Sequence, residues 1–142
     1  MSRSEDAVTL RLERDGRELW HSSASGVRPL AEAVLALGEE LRGAKAYDKV
    51  VGLASAKLLV YAGMVEAEAD VASVSAVRFS AQEGLVLRAV VVTPCILDRE
   101  RTGLCPMEAL ALKVESPEAF FQAVLKTLGL TQGGRNGSQE TG

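Results

Sequence analysis

The stretch from Lys49 to Ala62 constrains the fold more than any other. Val50, Val51, Leu53, Ala54, Leu58, Leu59, Val60 and Tyr61 leave it without a polar stripe. A helix that is apolar almost all round needs cover on every side, so it belongs inside a domain rather than on its surface. Asp48 precedes it in the place of an N-cap, where a carboxylate accepts free backbone N–H groups. Gly52, Ser55 and Ala56 keep its first turns thin, so another group can approach closely. Gly63 ends it. This expectation places the helix over 49–62.

The flanking segments supply the cover. Val8, Leu10 and Leu12 alternate with Thr9, Arg11 and Glu13, the period of a half-buried strand. Asp15-Gly16 is a hairpin turn, and Arg17 to Ser22 returns as a second strand. Pro29 sits early in a helix whose stripe is Leu30, Ala33, Val34, Leu37 and Leu41, with Gly43 as its C-cap. A short strand covers about 44–47. Val65 to Val71 alternates again. Ser73 caps a helix running to about Glu83, closed by Gly84. The β-branched run from Leu85 to Thr93 reads as a buried strand, stopped by Pro94. A charged loop covers 95–103. Helices then follow Pro106 and Ser116-Pro117, the second closed by Gly129. The order β-β-α-β-α-β-α-β-α-α predicts a three-layer α/β/α sandwich with a mixed sheet. The domain spans 6–130, with a flexible start over 1–5 and a disordered Gly/Ser/Gln-rich tail over 131–142.

Composition removes several functions. The 142 residues are 47% hydrophobic and 25% charged, with net charge −3. No basic field is available to hold nucleic acid or an anionic membrane, and 4% aromatic content is poor for base stacking. No membrane span is expected, since no apolar run reaches the required length. Met1 to Asp6 lacks the apolar core of a signal peptide, so a cytoplasmic location is expected. Cys95 and Cys105 read as reduced thiols.

Chemistry collects at helix starts. Arg101-Thr102-Gly103-Leu104-Cys105-Pro106-Met107-Glu108 holds an arginine, a thiol and a carboxylate in eight residues. Arg101 suits a bidentate anion contact or a surface ion pair. Cys105, just before a helix, is a candidate nucleophile or a buried small side chain. Glu108 is a candidate acid/base partner for Asp48, or a first-turn carboxylate favoured by the helix dipole. Arg28, Asp48, Lys49, Gly52, Arg101, Thr102, Gly103 and Cys105 are the candidate ligand-binding residues, and Cys105, Asp48 and Glu108 the candidate catalytic ones. Neither a metal nor a cofactor is expected.

Three segments carry a resemblance: Gly26-Val27-Arg28-Pro29-Leu30, Asp48-Lys49-Val50-Val51-Gly52-Leu53-Ala54, and Thr102 to Glu108. Across Val8 to Leu128 the chain resembles an uncharacterised bacterial and archaeal family of unknown function with a cytidine-deaminase-like fold. Zinc deaminases need H-x-E at one helix start and P-C-x-x-C at the next. Here the only histidine, His21, lies on the hairpin, and Cys95 and Cys105 are not a C-x-x-C pair. The resemblance therefore implies a zinc-free domain for a nucleotide- or ribose-type small molecule. The alternatives are an enzyme using Cys105 or the Asp48/Glu108 pair on such a ligand, and an interaction protein that forms a homodimer through a sheet edge or its last helix.

Overall fold

The computed structural model describes residues 8–97 and 103–131. The expected flexible start over 1–5, most of the expected tail, and candidates Arg101 and Thr102 lie outside them. Strand β1 (Leu10–Arg14) and strand β2 (Arg17–Ser22) form the hairpin. Asp15 and Gly16 both take positive φ, 54° and 77°, which matches the turn to the strand twist. Helix α1 (Arg28–Leu37) follows, then a 3-10 turn (Gly38–Leu41). The expected single helix to Leu41 is broken at Gly38, whose φ of 52° leaves the α-helical region.

Next come β3 (Lys45–Asp48), β4 (Val50–Val51), α2 (Leu53–Tyr61), β5 (Glu66–Ser73), α3 (Val74–Glu83), β6 (Val86–Thr93), α4 (Pro106–Lys113) and α5 (Pro117–Leu128). Two predicted caps are present: the Ser73 and Ser116 hydroxyls accept from the Ala76 and Ala119 N–H groups at 3.1 Å each. β1 runs antiparallel to both β2 and β3. β5 runs parallel to β3 and β4 on one side and to β6 on the other. The sheet is therefore mixed and the chain is α/β.

From β2 to β3, from β4 to β5 and from β5 to β6 the chain steps the same way across the sheet. Right-handed crossovers then put α1, α2 and α3 on one face. Leu12, Ala46 and Ala67 line up across neighbouring strands on that face and are buried. The other face carries the rows Arg11–Tyr47–Glu68–Arg88 and Glu13–Lys45–Glu66. α2 packs between the sheet and helices α4 and α5. This order explains why α2 is apolar all round. Leu58 and Leu59 have no exposed surface and share one core with Leu10 and Leu12 of the sheet and Phe120 and Phe121 of α5.

Two expectations change. The helix read from Lys49 starts at Leu53, because Val50 and Val51 pair in parallel with Val71 and Ala72. Asp48 is thus the last residue of β3, not the cap of α2. The run 85–93 forms a strand, but an exposed one: Val90 is 83% exposed, and Val91 and Val92 53% each. Among the described residues no helix is long and apolar enough to cross a membrane.

Candidate functional site

Ligands in open α/β sheets bind beyond the carboxyl ends of the parallel strands. A cavity of about 600 Å³ lies there. Leu10, Val27, Leu30, Val50, Ile96 and Leu97 make much of its wall apolar, while Thr9, Ser25, Asp48, Lys49, Ser55, Cys105 and Glu108 add polar groups. Its size falls within the roughly 300–1,000 Å³ of small-molecule sites.

Lys49, the single residue between β3 and β4, sets the Asp48 side of the cavity. The Lys49 N–H donates to the Thr9 carbonyl at 2.8 Å, and the Lys49 carbonyl accepts from both Asp70 and Val71 at 3.1 Å. The register to β5 is the same on either side of Lys49, so this carbonyl joins β3 and β4 to β5 without a shift in the ladder. Burial pushes the Asp48 carboxyl up to about 7, against the Ser55 hydroxyl and the Val50 N–H, which favour its ionised form. This carboxyl therefore exchanges its proton around neutrality, where a proton donor or acceptor is most useful. Thr9 Oγ1 donates to the Ala24 carbonyl at 2.6 Å and fastens the loop that forms the facing wall.

The N-terminus of α2 is already filled. Glu108 Oε1 and Oε2 accept from the Leu53 and Ala54 N–H groups, each at 2.8 Å. The carboxylate of α4 thus supplies the cap that Asp48 was expected to give. Its pKa is raised by burial, with the Ala54 and Leu53 N–H groups opposing. Gly52 makes room for this contact: a Cβ there would lie 2.5 Å from the Glu108 carboxyl carbon. Its small size thus serves the Glu108 contact. Both oxygens of Glu108 hold the start of α2 to α4.

Lys57 completes the clamp. Its Nζ donates to the carbonyls of Ala111 at 2.7 Å and Val114 at 2.6 Å, at the end of α4. Each helix thus neutralises an end of the other. Lys57 was not singled out in the sequence, although it is the only charged residue in α2.

The candidates divide accordingly. Asp48, Lys49, Gly52, Cys105 and Glu108 line one cavity. Arg28 turns away, to the Leu128 carbonyl at 2.8 Å and Glu32 at 3.3 Å. Gly103 does not line the cavity. Cys95 and Cys105 are free thiols, and Cys95 is exposed. Among the described residues no group of three or more His, Cys, Asp or Glu side chains is placed to hold a metal ion.

The segments that build this cavity fall within a longer match. Residues 3–128 match a family described as domain of unknown function DUF1893. The chain belongs to the DUF1893 family. A crystal structure of a DUF1893 family protein (TM1506) from Thermotoga maritima superposes with a TM-score of 0.78 at 27% identity, over 87% of this chain and 83% of that one. RibD of Acinetobacter baumannii is more distant, with a TM-score of 0.49 and 18% identity over 82% of this chain and 32% of its own length. No curated protein matches. The resemblance read from 48–54 and 102–108 thus leads to this DUF1893 domain, and the family brings a fold without an activity.

Proposed function

We propose that this DUF1893 domain binds a small molecule of nucleotide or ribose type in the 600 Å³ cavity, with Asp48 as the group that reads its polar edge. The observation that carries the reading is one shielded carboxyl, titrating near neutrality, in a largely apolar cavity. Apolar walls favour a flat ring through burial, and a few convergent polar groups fix its orientation. Asp48 accepts ribose hydroxyls when ionised and donates to a ring nitrogen or carbonyl when protonated. Glu108 occupies the α2 N-terminus, and among the described residues exposed Lys49 is the cation that lines the cavity.

Isothermal titration calorimetry against nucleosides, nucleotides and ADP-ribose tests this. At least one ribose-containing compound should bind, and Asp48→Asn should weaken it by about tenfold, near 1.4 kcal/mol. If no member of the panel binds, the reading fails.

Cys105 favours a second reading, because its partly buried thiol lines the same cavity. There the domain is an enzyme with Cys105 as nucleophile. Alkylation by iodoacetamide faster than that of a free cysteine supports this reading, and alkylation at the same rate or slower removes it.

A further inference from the structure

We propose that two copies of this chain pair through β6, forming one continuous sheet across a two-fold axis. β6 is an edge strand of eight residues whose outer side pairs with no strand among the described residues. Edge strands normally carry charges, prolines or bulges that discourage pairing. β6 has no proline, and its register with β5 runs without a shift from Val86 to Thr93. Val90, Val91 and Val92 stand consecutively exposed. Val74 and Val77 of α3, which packs on β6, are each 37% exposed and extend this apolar rim. The opposite edge contrasts with it: β2 presents Arg17, Glu18 and His21, all exposed.

Charge selects a second copy and its direction. Arg88 is the one charged residue in β6, and it is paired within its own chain to Glu66. Antiparallel pairing about Val90 sets Val90 against its counterpart, Val91 against Ala89, and Arg88 against Val92. No like charges then face each other. Parallel pairing in register sets Arg88 against Arg88, which is unfavourable. The strand is therefore complementary to itself in one orientation, the isologous arrangement of a two-fold dimer.

Sedimentation equilibrium and amide hydrogen exchange on the full chain test the proposal together. Twice the chain mass is expected, with β6 amides exchanging more slowly as concentration rises. The Val90→Lys/Val92→Lys variant should halve the mass while keeping the wild-type circular dichroism. Arg17→Glu, on the other edge, should leave the dimer intact. A chain mass of one copy across the micromolar range overturns the proposal. So does a dimer whose β6 exchange ignores concentration. Should the lysine variant fail to fold, wild-type exchange alone decides.

Discussion

Gly52 and Glu108 act as one unit although they lie far apart in sequence. Gly52 takes φ −96° and ψ −173°, an extended geometry open to any residue. Backbone freedom is thus not why a glycine stands there; the Glu108 carboxyl 2.5 Å from the missing Cβ is. Gly52→Ala must push that carboxylate off the Leu53 and Ala54 N–H groups, and should cost about 2–3 kcal/mol in urea unfolding. Glu108→Ala leaves the same two donors unpaired and should cost a similar amount. In the Glu108→Ala background the conflict is gone, so adding Gly52→Ala should change stability by less than about 0.5 kcal/mol. Additive costs would show that the two residues do not compete for one space. Both positions stood out in the sequence, each as a feature of its own helix start. Their pairing was not legible, because no local rule joins residues this distant in the chain.

At the level of elements, what is local was readable and what is tertiary was not. The Asp15-Gly16 turn and the Ser73 and Ser116 caps depend on neighbours within a few residues, and all three are present. Val50-Val51 was read into the helix over 49–62, because a short apolar run suits a buried helix as well as a strand; parallel pairing to β5 makes it a strand. The 85–93 run identified a strand, but β-branched residues read alike at a sheet's centre and at its edge. Five of the cavity's residues, Asp48, Lys49, Gly52, Cys105 and Glu108, were visible at helix starts, while Thr9 needed the fold to bring it in. The α2–α4 clamp tests how elements depend on one another. Lys57→Met keeps the length of the side chain but leaves the Ala111 and Val114 carbonyls without their donor. It should cost about 1–3 kcal/mol and speed amide exchange in α4 more than in α5. Equal acceleration in both helices would mean that Lys57 supports the core in general rather than the docking of α4.

The cavity ties the stability of the whole molecule to pH. Asp48 titrates at about 7 in the folded chain, against an ordinary value of 3.8. Between these values the folded state holds a proton that the unfolded state has released. Raising the pH through that window therefore favours unfolding, and the loss levels off once the folded carboxyl ionises. Glu108, also raised by burial, works in the same direction. Asp48→Asn keeps the shape and removes the ionisation. The variant should match the wild type near pH 4 and exceed it above neutrality by about 1–3 kcal/mol, a figure reduced for the part of Asp48 that stays open to the cavity. Denaturation curves across this range measure the difference, and a difference independent of pH would place the titration elsewhere. Binding should follow the same proton. Affinity for a ligand whose hydroxyls Asp48 accepts should rise through pH 7, and for one to which Asp48 donates it should fall. The stability lost on ionising this carboxyl is then partly recovered when a hydroxyl-bearing ligand satisfies it, so such a ligand should raise the melting temperature more at pH 8 than at pH 6.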